Sequence, residues 1–140
     1  MKKSIIYLIT MLLLCGCNAT GTDNAKSNTV TLINEVKDAD IWILPKTEEN
    51  LKTTVWGKAT VSGIKINETC KAPLCEAGEN GFYIIRMIDT DNIFYSVDDL
   101  VLKSGWTVRI MGDDLQSVKL EVMDESGVLK NIYDVFAASL

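Results

Sequence analysis

The sequence predicts an all-β fold, a single small antiparallel β-sandwich of Greek-key or partly open barrel form. Three observations carry that expectation. Short runs rich in Val, Ile, Thr, Tyr and Phe recur along the chain. Clusters of Gly, Asn and Asp separate them, and these are residues that start turns. No stretch sustains the apolar period of a long helix.

In order, the runs are TVTLINE (29–35), DIWILP (40–45), TVWGKATVSGIKI (54–66), GFYIIRMID (81–89), NIFYSV (92–97), DLVLK (99–103), WTVRIMG (106–112), SVKLEVMD (117–124) and VLKNIYDVFAA (128–138). Asp89-Thr90-Asp91-Asn92 and Asp124-Glu125-Ser126-Gly127 each lie between a pair of apolar runs, so both predict hairpins. In SVKLEVMD, Val118, Leu120 and Val122 share one face and Lys119, Glu121 and Met123 the other, the pattern of a half-buried strand. TEENLKT, after Pro45, is the one place for a helical turn or a long loop. Neither a repeat nor a composition shift divides residues 29–140, so they predict one domain of ordinary size.

Ahead of that domain, Lys2 and Lys3 precede an apolar segment from Ile5 to Leu14. It has the length of a signal-peptide core and is too short to span a bilayer. The sequel Leu14-Cys15-Gly16-Cys17 resembles the lipobox of bacterial lipoproteins. The resemblance implies cleavage after residue 16, a diacylglyceryl thioether on Cys17, fatty acylation such as palmitate, and attachment to the membrane through Cys17. Cys15 follows the bulky Leu14 and leaves with the leader. The alternative is an ordinary secretory signal cut after Ala19. By similarity to Gram-negative lipoproteins, an aspartate after the lipid-bearing cysteine specifies inner-membrane retention. Asn18 stands there instead, so an outer membrane or a cell surface is the expected location. Residues 17–28 are small and polar, a flexible tether with a reach of roughly 20 Å.

Without the two leader lysines the chain keeps 12 basic residues against 19 acidic ones, a net charge of about −7. That balance disfavours nucleic acid and anionic lipid surfaces as partners. Cys70 and Cys75, in ETCKAPLCEAG, predict a local disulfide in an exported protein. A redox-active pair is the alternative, although the spacing is not Cys-x-x-Cys.

The chain has no histidine. That excludes Ser-His-Asp, Cys-His and the usual zinc-hydrolase chemistry, and the neighbouring carboxylates read as turn and strand-end residues. The expectation is a protein that is not an enzyme. Trp42, Trp56 and Trp106, with Tyr83, Tyr95, Phe94 and Tyr133, are candidates for an aromatic platform that binds a sugar or a protein. Trp56 and Trp106 read as buried or half-buried. Trp42, opposite in parity to Ile41 and Ile43, reads as the exposed one. Aspartates near turns, above all Asp89, Asp91, Asp98 and Asp99, are candidates for a calcium site; no other metal or cofactor is expected.

The succession TVTLINE, IWILP, TTVWG and GFYIIRMIDTDNIFYSVDDLVL resembles a class of small secreted bacterial β-sandwich domains. In that class a first strand ending in Asn precedes a second ending in Pro and then a Trp-Gly. The resemblance covers residues 29 to 102, and the segment from Cys70 to Cys75 and the last two strands depart from it. It implies fold and export and no activity. The functional expectation is a lipid-anchored, non-catalytic module that binds another envelope or surface component, protein or glycan. An inhibitor or immunity-type protein against a wall-degrading enzyme or protease is the alternative, its acidity suiting a basic target. A calcium-binding sandwich and a carboxylate-based hydrolase rank below both.

Overall fold

The computed structural model describes residues 27–112 and 118–139. The expected leader, Cys17 and most of the tether lie outside the described residues.

Among the described residues, ten strands build two five-stranded sheets that pack face to face. Sheet A contains β1 (Thr29–Asn34), β4 (Glu68–Pro73), β7 (Thr107–Met111), β8 (Lys119–Met123) and β9 (Leu129–Asp134), in the order β4-β1-β7-β8-β9. Sheet B contains β2 (Ala39–Pro45), β3 (Val61–Ile64), β5 (Tyr83–Asp89), β6 (Ile93–Leu100) and β10 (Phe136–Ser139), in the order β10-β6-β5-β2-β3. Neither closes into a barrel, so the sandwich form of the expectation holds. One ladder, β1 with β7, is parallel. Between those two strands the chain crosses to sheet B, returns for β4 and crosses again, so β7 enters beside β1 running the same way.

The core follows from alternation. Val30 and Leu32 of β1, Ile41 and Ile43 of β2, Val108 and Ile110 of β7, and Leu120 and Val122 of β8 all point between the sheets and are buried. Each such side chain contributes roughly 2 kcal/mol on leaving water. Asn34, wholly buried where β1 ends, donates from Nδ2 to the Lys37 carbonyl at 2.6 Å and accepts the Val36 N–H at 3.2 Å. Its side chain thereby satisfies a turn that would otherwise leave buried backbone groups unpaired. Gly78 is needed for a close approach: a Cβ there would lie 2.0 Å from the Lys46 carbonyl oxygen.

Both expected hairpins form, β5 to β6 and β8 to β9. The helical turn after Pro45 is α1 (Glu48–Lys52), capped by Thr47, whose hydroxyl accepts the Asn50 N–H at 3.0 Å. Runs 92–97 and 99–103 merge into the single strand β6, with Asp99 at a bulge and a positive φ of 61°. Run 54–66 is strand only over Val61–Ile64. Run 128–138 divides at Val135, where the chain leaves sheet A for sheet B.

The expected Cys70–Cys75 disulfide is not formed. The stretch that reads as a loop is a straight edge strand: Cys70 pairs with Leu32, and the ladder continues past Pro73, with the Leu74 N–H donating to the Asn28 carbonyl at 2.8 Å. Extended chain from Cys70 to Leu74 covers roughly 13 Å, and a disulfide bridges Cα atoms no more than about 7 Å apart. Cys75 Sγ lies instead 3.9 Å from the Ile43 carbonyl oxygen, beside sheet B. Burial, with Glu68 nearby, pushes the Cys70 thiol up, away from the thiolate that redox chemistry needs. Among the described residues no helix is long and apolar enough to cross a membrane.

Candidate binding face

The outer face of sheet B is built by the residues of opposite parity to the core. Ladder registers align Trp42 of β2 with Arg86 of β5, Ser96 of β6 and Phe136 of β10. The next row is Asp40, Ile88, Phe94 and Ala138. β5 is buried on both faces: Ile84 and Arg86 point away from sheet A and are nonetheless 0% and 5% exposed. Arg86 donates through one guanidinium nitrogen to Asp98 Oδ1 at 2.6 Å and to the Ile85 carbonyl at 3.1 Å. The face is therefore covered by something other than a second sheet.

Residues 53–60, between α1 and β3, form a strap along this side of sheet B. Ile43 donates its N–H to the Thr60 hydroxyl at 2.9 Å, so one side chain takes the place of a strand partner. Trp42 Nε1 donates to the Gly57 carbonyl at 3.1 Å, and Gly57 has a φ of 69°. This left-handed residue is where glycine is needed, since an L side chain is strained there. The strap sets Trp56 against both rows. Its ring centroid is 5.6 Å from that of Trp42 at a tilt of 57°, and 5.6 Å from that of Phe94, nearly parallel at 11°. Both geometries are favourable for aromatic pairs.

One polar atom in this cluster has no partner. Trp56 Nε1 is buried and makes no hydrogen bond, and among the described residues it is the buried side-chain nitrogen or oxygen of which that is true. An unpaired buried donor costs roughly 1–3 kcal/mol. Val55, the preceding residue of the strap, and Phe136, at the β10 end of the Trp42 row, are 79% and 65% exposed. The arrangement offers flat apolar rings and an apolar rim, with an unpaired indole N–H enclosed among them, which suits a ligand that stacks.

Of the residues singled out from sequence, the structure brings Trp42 and Trp56 together and separates the others. Trp42 faces outward as its parity requires but is half-buried, because Trp56 lies against it. Trp106 is at the start of β7 in sheet A, packed partly on the core with Lys103 Nζ 5.5 Å above its ring. Tyr83 and Tyr95 are core residues, 4% and 2% exposed, so neither belongs to a binding surface. Their strands carry them inward, and their hydroxyls are used internally: Tyr83 donates to the Cys75 carbonyl at 2.6 Å and Tyr95 to Asp89 Oδ2 at 2.8 Å. Phe136 is a member of the face that the sequence did not mark, because its parity is set by the crossing at Val135.

The four aspartates proposed for calcium fall into two pairs near opposite ends of β6, roughly 20 Å apart along the strand. Asp89 is buried and accepts the N–H groups of Asp91 and Ile93 as well as the Tyr95 hydroxyl. Asp91 pairs with Lys37, Asp98 with Arg86 and Asp99 with Lys46. Among the described residues no three acidic or cysteine side chains converge as a metal site would require.

No protein-family model matches the chain, nor does any curated protein or solved structure.

Proposed function

We propose that the protein is a lipid-anchored, non-catalytic binding module of the bacterial cell envelope, tethered through Cys17, which holds a surface glycan against the aromatic face of sheet B. The observation that carries the reading is the cluster of Trp42, Trp56 and Phe94 with the unpaired indole N–H of Trp56. Sugar rings present C–H faces that stack on aromatic rings and hydroxyls that accept from such a donor. The lipobox-like Leu14-Cys15-Gly16-Cys17 supports the anchor, and the absence of histidine supports a binding rather than a catalytic role.

Two experiments test the reading. Cells fed a labelled fatty acid should incorporate it into the full chain and not into Cys17→Ser; label retained by that variant overturns the anchor. For the site, a Trp106→Phe background leaves only Trp42 and Trp56 as indole fluorophores. Titration with solubilised cell-wall glycan should then shift their emission. Trp56→Phe keeps the ring and deletes the donor, and should weaken binding about tenfold. An emission unmoved by glycan, or an affinity unchanged by Trp56→Phe, overturns the glycan site.

A further inference from the structure

The aromatic face of sheet B is roofed by its own strap. Trp42 on β2 and Phe94 on β6 stand on either side of β5, two strand spacings and one row apart, roughly 12 Å. The Trp56 ring centroid is 5.6 Å from each, so the two distances together just span that gap and the ring lies between them, across β5. On β5 itself, Arg86, in the row of Trp42, is buried. The strap thus fills the middle of the face on which a flat ligand would stack. It also shuts Trp56 Nε1 away from water and ligand alike. That N–H meets a hydroxyl only when the ring moves.

The strap is lightly fastened. Residues 53–60 join no ladder, since the pairing of β3 with β2 begins at Val61. Trp56 is half-buried, but Thr54 and Val55 before it and Gly57 and Lys58 after it are exposed. The chain just ahead gives slack, because α1 has no buried residue. Side chains tie the strap to β2, with Trp42 Nε1 donating to the Gly57 carbonyl at 3.1 Å and the Ile43 N–H to the Thr60 hydroxyl at 2.9 Å. The first bond lies at the surface, where water competes for both groups. The second marks the fixed end. Segments with few buried contacts and exposed hydrogen bonds open locally, without unfolding of the domain. Gly57, between the ring and that fixed end, has the backbone freedom for a swing. Once lifted, the Trp56 N–H gains water as a partner, which offsets part of the cost of exposing the ring.

We infer that residues 53–59 are a gate over the binding face, closed in this structure, which swings Trp56 out from between Trp42 and Phe94, opens the outer face of β5 and frees the indole N–H for the entering ligand. The inference rests on the reading of this face as a glycan site, and the motion is measurable with no glycan present.

The test uses the full chain in detergent with isotopically labelled tryptophan. Exchange of the Trp56 indole proton with deuterated water reports each opening of the gate, and its resonance is the one lost in Trp56→Phe. Each measured against its free rate, this proton should exchange about a hundredfold or more faster than the slowest backbone amides of β5. Gly57→Ala then perturbs the gate alone. A Cβ there meets nothing within 4 Å, so the substitution adds only the strain of a left-handed L residue in the closed strap. It should speed Trp56 exchange about fivefold or more. Gly127→Ala is the control, with the same open space and a φ of 83° but in the turn after β8. In chemical denaturation it should lower overall stability to a similar extent, and it should leave Trp56 exchange unchanged. With solubilised cell-wall glycan, Gly57→Ala should tighten binding by about the factor by which it speeds exchange, because affinity scales with the open fraction. Gly127→Ala should not.

Trp56 exchange that matches the β5 amides, or that both alanine variants speed alike, would overturn the gate whether or not glycan binds. So would a glycan affinity that Gly57→Ala leaves unchanged or weakens. Local opening in a chain that binds no glycan would uphold the motion and overturn the glycan reading instead.

Discussion

The turns after β5 and after β8 share one hydrogen-bond scheme in opposite surroundings. In Asp89-Thr90-Asp91-Asn92-Ile93, Asp89 Oδ1 accepts the N–H groups of Asp91 and Ile93 at 2.8 and 3.0 Å, and the Asn92 N–H returns to the Asp89 carbonyl at 3.0 Å. In Asp124-Glu125-Ser126-Gly127-Val128, Asp124 Oδ1 accepts Ser126 and Val128 at 2.9 and 3.0 Å, and the Gly127 N–H returns at 3.0 Å. The fourth residue has a positive φ in both, 59° at Asn92 and 83° at Gly127, which is why Asn and Gly occupy those places. The second carboxylate oxygen makes the difference. Asp89 turns Oδ2 into the sandwich, to the Tyr95 hydroxyl, whereas Asp124 turns Oδ2 outward, 3.2 Å from Lys130 Nζ. One turn is a surface device, and its twin is tied to the core.

Removing the first aspartate should therefore have the largest effect. Asp89→Ala deletes three acceptor contacts and leaves a buried phenol without a partner, for a loss of about 3 kcal/mol. Asp124→Ala deletes a similar set of contacts where water can replace them, so its loss should be clearly the smaller. Chemical denaturation of both variants checks the contrast, and equal losses would show that the turn alone, rather than its burial, determines the cost.

Tyr95→Phe isolates the buried half of the comparison. It leaves the Asp89 turn bonds in place and removes only the hydroxyl, so about 1–2 kcal/mol should be lost. Burial, reinforced by the hydrogen bond to Asp89 and its charge, raises the Tyr95 phenol far above its ordinary value. The folded chain then keeps this phenol neutral where the unfolded chain ionises it. Its contribution is whole below the ordinary tyrosine value near pH 10 and is lost progressively as the pH rises above it. The parent should lose more stability between neutrality and pH 11 than Tyr95→Phe does; parallel curves would place the phenol in water.

The same pair of turns shows what the sequence makes legible. Both hairpins can be read because an aspartate at the first position and Asn or Gly at the fourth are local requirements of the backbone. That Asp89 faces Tyr95 cannot be read so, because it depends on which face of β5 meets the other sheet. Tyr83 and Tyr95 read as surface candidates for the same reason. Period-two alternation rightly turns Trp42 away from Ile41 and Ile43, but nothing local says that residues 53–60, as rich in Thr, Val and Trp as a strand, will lie along a face instead of pairing. Pro73 and two nearby cysteines suggest a disulfide loop; at the outer edge of a sheet a proline is tolerated, and β4 runs straight. Phe136 joins the aromatic face only because the chain changes sheets at Val135.

The smallest effect sharpens the exposed half. The Ser126 hydroxyl, with the Val128 N–H and Lys130 beside it, holds the Asp124 carboxyl well below the usual carboxylate range. The Ile66 N–H, with Lys65, lowers Asp38 in the same direction. A depressed folded value means that these carboxylates favour the folded state fully above the ordinary aspartate value near pH 4 and lose that contribution as the pH falls below it. Asp124→Asn keeps an acceptor at the Oδ1 position and abolishes the titration. Its melting temperature should sit slightly below that of the parent at neutral pH, and the gap should narrow from pH 4 downward as the parent gives up its charge. Asp38→Asn should behave alike and, at a separate site, the two effects should add. A gap that stays constant into acid would mean that Asp124 acts through its geometry alone. The turn after β8 would then differ from the turn after β5 only in what covers it.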